Sequence, residues 1–199
     1  MDPALALLEF DSIARGIEAG DAMIKRSPLQ VLRAGTVHPG KYLVLVGGLT
    51  ADVEEAVEAG REIAGPDLLD VVFLPDVHPH VVTAIGGARL EDPGEALGVV
   101  ETRTVAASVL AADAGVKAAR VVLREVRLAD GLGGKGYVLF GGPVADVEAA
   151  VEAALARIET TDKALAHAVI SRLHEGMEEN LTAEPRFLSR VEGIEKEPA

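Results

Sequence analysis

Short apolar runs and helical apolar stripes alternate along the first half of this chain. Leu5 to Phe10 carries one charge in an otherwise apolar run, the pattern of a strand buried on both faces. From Ser12 to Lys25, Ile13, Ile17, Gly20 and Ile24 recur at steps of four, three and four. That spacing predicts a helix with one apolar stripe, and Gly16 and Gly20 leave room for a close neighbour. Ser27-Pro28 ends it. Leu29 to Arg33 and Lys41 to Val46 read as two strands joined through the loop Thr36 to Lys41, where Pro39-Gly40 supplies the turn. Gly47-Gly48 closes the second strand, and Thr50 is placed to cap a helix from Ala51 to Ala64. Asp52, Glu54 and Glu55 suit the N-terminal end of that helix dipole, and Gly65-Pro66 stops it. Leu68 to Leu74 is a last strand. The order is β-α-β-β-α-β.

The second half repeats it. Strand Leu97 to Glu101, helix Val105 to Ala118, strands Val121 to Val126 and Tyr137 to Phe140, helix Ala145 to Ile158 and strand Leu165 to Ile170 follow in the same order. Glu9, Asp21 and Lys25 return as Glu101, Asp113 and Lys117, an offset of 92; Gly40-Lys41 and Asp52 return as Gly134-Lys135 and Asp146, an offset of 94. The copies diverge most in the loop itself, Val37 to Gly40 in one and Asp130 to Gly134 in the other. A scaffold duplicated around a diverged loop places function in the loop. The expected fold class is α+β, two tandem ferredoxin-like domains, each a four-stranded antiparallel sheet with two helices on one face. Residues 1–92 form the first domain, 93–181 the second, with Asp92-Pro93-Gly94 marking a short join. The charged tail 182–199 is expected to be mobile or ordered by a neighbour.

Composition narrows the partners. Hydrophobic residues are 49% of the chain and aromatics 3%, so the core is aliphatic. Lys and Arg number 19 against 32 Asp and Glu, and a net charge of −13 opposes binding to nucleic acid or anionic membrane. With no cysteine there is no disulfide, thiolate metal site or Cys nucleophile. The start Met1-Asp2-Pro3-Ala4 lacks signal-peptide character, and no apolar run approaches the ~20 residues of a membrane span. A cytoplasmic location is expected.

Several motifs dissolve on inspection. Gly131 to Gly136 matches G-x-G-x-x-G, but a dinucleotide site needs a helix next, and Tyr137 to Phe140 reads as a strand. A P-loop would need glycine at Ala129 and a hydroxyl at Gly136. Glu54, Glu55, Glu58 and Glu62 lie on the outer face of a helix. No nucleophile elbow or zinc-protease motif occurs, so no enzyme is expected. His78 and His80 flank Pro79 and, if extended, share a face near Asp76, the arrangement of a metal pair; surface histidines after a strand are the plainer reading.

The two units, their helices ending Asp21 to Lys25 and Asp113 to Lys117, resemble the bacterial microcompartment shell domain. The tandem, unpermuted form found in propanediol-utilisation compartments is the nearer likeness. Leu7 to Arg15, His38 to Tyr42, Val77 to Pro79, Gly131 to Lys135 and Val169 to His174 carry the resemblance, which spans about residues 4 to 181. It implies a structural shell tile: a homotrimer whose six domains imitate a hexamer around a central pore for small metabolites, packed edge to edge with hexameric and pentameric shell proteins around encapsulated enzymes. On that reading Val37, His38, Pro39 and Gly40 alternate with Gly131, Leu132, Gly133 and Gly134 around the pore. Lys25, Lys117, Arg172, His174 and His78 fall at the tile edge, and Asp76 replaces the arginine expected in the first unit.

His38 stands where some tandem members carry a cluster-binding cysteine, so a thiolate-bound iron-sulfur cluster is excluded, and no cofactor is expected. The alternative is an axial metal or redox site on three copies of His38, carrying electrons or binding a cofactor across the shell. A ferredoxin-like sensor trimer that never assembles laterally is a third reading.

Overall fold

Ala4–Phe10 (β1) is buried along its whole length, because Ala4, Ala6, Leu8 and Phe10 enter a core of their own unit while Leu5 and Leu7 enter one that continues into the other unit. The computed structural model describes residues 4–90, 94–158 and 163–183. β1 lies between β3 (Lys41–Gly48) and β4 (Leu68–Leu74), with β2 (Val31–Val37) outside β3, all antiparallel. Helices α1 (Ile13–Arg26) and α2 (Thr50–Ala64) cover one face through Ala19, Met23, Val53 and Ala56. Ser12 caps α1 by accepting from Arg15 N, and Gly65, at φ +52°, ends α2. A short helix, α3 (Pro79–Ile85), then leads out of the unit.

The second unit repeats this plan with β5 (Ala96–Thr102), α4 (Val105–Ala118), β6 (Val122–Leu128), β7 (Gly136–Gly142), α5 (Val144–Ile158), β8 (Ala164–Ser171) and α6 (Glu175–Thr182). The strand orders β2-β3-β1-β4 and β6-β7-β5-β8 are the same order twice. The tandem α+β expectation therefore holds. Of the expected join, Asp92 and Pro93 lie outside the described residues, as does the tail from Glu184.

Four details differ from the expectation. Strand β2 runs on through Thr36 and Val37, because it pairs with β3 residue for residue down to Val37–Lys41 and leaves only three residues to turn. The residue capping α2 is Leu49, and the Thr50 hydroxyl instead donates to Pro75 O at 3.4 Å. Helices α3 and α6 have no strong apolar period; each starts at a histidine, His78 or His174, whose Nδ1 accepts from a backbone N–H two residues on. His78 and His80 thus belong to a helix start, with rings 4.8 Å apart edge to face, and not to the extended pair drawn from the sequence.

The fourth concerns α1. Its inner face is made of Gly16, Ala19, Gly20 and Met23, while Ile13, Ile17 and Ile24 remain exposed. Glycine sets this arrangement: a Cβ on Gly16 would lie 2.6 Å from the Tyr42 ring, so the helix sits too close to the sheet for a larger residue there. The isoleucine stripe faces away from its own sheet.

Candidate functional site

Both diverged loops lie at the β2–β3 and β6–β7 ends of their sheets, and the fold brings them side by side. In the first, Gly40 N donates to Val37 O at 2.9 Å, the His38–Pro39 peptide is cis, and His38, Pro39 and Gly40 are exposed. In the second, Gly131, Gly133 and Gly134 adopt positive φ, left-handed backbone that glycine takes without strain, and Ala129 precedes them at φ +61°. It leads into β7 and not into a helix, which removes the dinucleotide reading. Lys41 joins the loops. Its Nζ pairs with Glu9 Oε1 at 2.7 Å and reaches Gly134 O at 3.5 Å. Gly134 is consequently buried, Leu132 half-buried, and Gly131 and Gly133 exposed. Among the described residues no three His, Cys, Asp or Glu side chains gather to hold a metal, so an ion on His38 takes more than one chain.

Behind the loops the two units meet along a seam organised by carboxylates. Glu9 is fully buried; beyond its pair with Lys41, its Oε2 accepts from Val105 N at 2.7 Å and Ala106 N at 3.4 Å, at the positive end of the α4 dipole. Asp70 on β4 accepts from Thr104 Oγ1 at 2.5 Å and pairs with Lys163. Between these polar points Leu5, Leu7, Val72 and Leu74 of the first sheet share a core with Val105, Val109 and Ala112 of α4. Val77, just before helix α3, and Val81 and Ala84 within it add to that core.

At the far end of the seam His78 N donates to Asp113 Oδ1 at 2.8 Å, and Lys117 pairs with Asp113 at 2.7 Å and donates to Asp76 O. Lys117 and His78 therefore meet within one chain. Among the described residues their counterparts do not: Lys25 is exposed and pairs along its own helix with Asp21 at 2.5 Å, while Arg172, at φ +55°, and His174 stand exposed. The Glu9, Asp70, Thr104 and Asp113 contacts were missed in the sequence. The available signal was Glu9, a lone charge inside an apolar strand that recurs as Glu101.

His78 titrates where the seam can feel it. Burial lowers its pKa below 6.5, His80 and Lys117 lower it further, and Asp113 and Asp76 partly oppose them. A histidine held neutral binds fewer protons folded than unfolded, so its contribution is fully present above pH 6.5 and declines as pH falls through that value towards the lowered pKa. The thermal midpoint should fall on acidification below pH 6.5, and His78→Asn, which keeps a capping acceptor without titrating, should flatten that part of the profile. An unchanged slope in the Asn variant would remove His78 as the cause.

Comparison with known proteins follows the same plan. Residues 4–77 and 96–173 each match the family model described as BMC domain. The bacterial microcompartment shell protein PduT of Citrobacter freundii is 42% identical over 177 residues, covering 89% of this chain and 96% of that protein. The carboxysome assembly protein CcmO of Synechocystis is 29% identical over 97% of this chain and 69% of that protein. A solved structure of a microcompartment protein from Desulfitobacterium hafniense superposes with a TM-score of 0.78 at 40% identity, covering 90% of this chain and 99% of that one. A fused, permuted hexameric shell protein of the RMM microcompartment, 22% identical with a TM-score of 0.59, shares the fold.

Proposed function

The chain belongs to the BMC-domain family and is a shell protein of a bacterial microcompartment, and from that premise we propose that it works as a homotrimeric structural tile with a central pore. The observation that carries this reading is the seam between its two units. Each half of that seam has an unfilled duplicate on the opposite side of the chain. Ile13, Ile17 and Ile24 of α1 correspond to Val105, Val109 and Val116 of α4; Ile17 is 55% exposed and Val109 0%. Glu101, paired with Lys135 at 2.6 Å, corresponds to Glu9 and, among the described residues, meets no helix N-terminus like the one Glu9 holds. Met177 of α6 is 53% exposed where Val81 of α3 is buried. A second copy offering its α1 to the first copy's Glu101 and α6 satisfies all three, and three chains close the ring.

In such a ring Lys135 takes the role of Lys41 and reaches the next copy's Gly40, so Val37 to Gly40 and Gly131 to Gly134 alternate around the axis. Lys25, Arg172 and His174 complete the outer end of the second seam, at the rim where hexameric and pentameric shell proteins abut. The tile does no chemistry; it lines and sizes an opening for small polar metabolites.

Native mass spectrometry tests the assembly. The expected species is near 62 kDa, three times 20.7 kDa. Lys25→Glu should leave that trimer intact and abolish extended sheets in electron micrographs. Sheets that persist would take Lys25 off the rim, and a monomeric wild type would end the pore reading. In the same spectra a metal held by three His38 side chains appears as one added metal mass that His38→Ala removes.

A further inference from the structure

A depression that no described residue covers crosses the outer face of the first sheet and runs into the join with the second unit. One part, about 760 Å³, lies between Leu43 and Arg127, with Thr182 and Ala183 on its wall. The adjoining part, about 500 Å³, is floored by Leu5, Leu7 and Leu45 and bounded by Ile85; the two share Thr36, Val37 and Leu43. These volumes are in the range of occupied ligand sites; Arg89, Glu125, Arg127 and Asp130 lie on the first part, the first three paired among themselves, while the second part is walled mainly by aliphatic side chains.

The matching face of the second sheet is not empty. The segment after α3 crosses it: Leu90 N donates to Arg124 O at 3.0 Å, and Arg89 pairs with Glu125 at 3.0 Å. Glu125 also accepts from Tyr137 OH at 3.2 Å, and burial with that carboxylate pushes the phenol up to about 12. The chain thus already covers one outer face with the segment that follows a short helix. Arg89 has a second task, since it donates to Leu181 O at 2.5 Å and Ala183 O at 2.8 Å. Those bonds hold the end of α6 at the mouth of the open depression.

Sixteen residues, 184–199, follow Ala183 and lie outside the described residues. Their apolar side chains are Phe187, Leu188, Val191 and Ile194, spaced at i, i+1, i+4 and i+7 along the sequence. Phe187 is four residues past Ala183, within a reach of ~13 Å. We propose that residues 184–199 dock back onto their own chain, with Phe187 and Leu188 in the depression against Leu43 and Ile85, so that the tail covers the outer face of the first sheet. This docking needs only one chain and stands or falls separately from the trimer.

The test uses the full-length protein, which has no tryptophan and no cysteine. Phe187→Trp introduces a single fluorophore, expected to emit to the blue of free tryptophan and to resist iodide quenching several-fold. Gly35 lines the depression and a Cβ there meets nothing within 4 Å, so Gly35→Glu can block the site without disturbing the sheet. The double variant should lose both the blue shift and the protection. Emission like free tryptophan in the single variant, or a blue shift that Gly35→Glu leaves untouched, overturns the proposal. A Thr36→Cys, Leu188→Cys pair reports the occupant: an intrachain disulfide is expected, and disulfide-linked multimers would assign the depression to a neighbour's tail instead.

Discussion

In a protomer kept monomeric by Ile17→Glu, Glu9→Gln is expected to lower unfolding stability by ~3 kcal/mol, whereas Glu101→Gln should cost under ~1 kcal/mol. The two carboxylates are the same position in two copies of one strand, each paired with its lysine at 2.7 and 2.6 Å. They differ in what surrounds them. Glu9 is 0% exposed and also receives two backbone N–H groups from the start of α4; Glu101 is 33% exposed. Gln at position 9 retains one acceptor for Val105 N but leaves the Lys41 ammonium, itself only 16% exposed, without its counter-charge. Removing one member of a buried pair costs far more than the pair contributes when intact. Adding Lys41→Met to the Glu9 variant should therefore recover part of the loss, and urea midpoints of the four proteins in this cycle measure the coupling. Equal, small losses at both positions would mean that the carboxylate does not hold the helix.

That contrast also explains what could be read before the structure. The strands and main helices were legible because apolar period and turn chemistry are local properties, and the duplication checked each one against its twin. Helices α3 and α6 were not, since seven and eight residues starting at a histidine carry too little period. The loops could be picked out as the place where the twins disagree, but their meeting through Lys41 and Gly134 is a fact of register between units ninety-odd residues apart. Of the stripe read at Ile13, Ile17, Gly20 and Ile24, the three isoleucines share one exposed face of the helix while Gly20 lies on the inner face, and the periodicity cannot say which neighbour the isoleucine face meets. Gly16 against Tyr42 decides it, by bringing the other face onto the sheet. The seam was hidden for the same reason. Glu9, Asp70 and Asp113 look like ordinary acids in an acidic chain until the second unit's helix is set down upon them.

Ile17→Glu should leave each protomer folded and abolish the proposed trimer. In the single chain Ile17 is 55% exposed, so a surface substitution there falls within about 0.5 kcal/mol. Within the second seam it occupies the place that Val109 has in the first, where exposure is 0%. A carboxylate there has no described cation to meet it, since the facing surface, by analogy with Leu7, Val72 and Leu74, is Val99, Ala168 and Ile170 of the next copy. Burying an unpaired charge against such a surface costs several kcal/mol. At ~3 kcal/mol for each seam, and three seams in a closed ring, the trimerisation constant falls by roughly six orders of magnitude. Sedimentation at micromolar concentration should then find monomer with wild-type circular dichroism. Val109→Glu is the internal control, because the same charge at the same helical position of the other unit should unfold the chain. A trimer that survives Ile17→Glu would show that the second seam is not a copy of the first, and with it the alternation of the two loops around one axis would be lost.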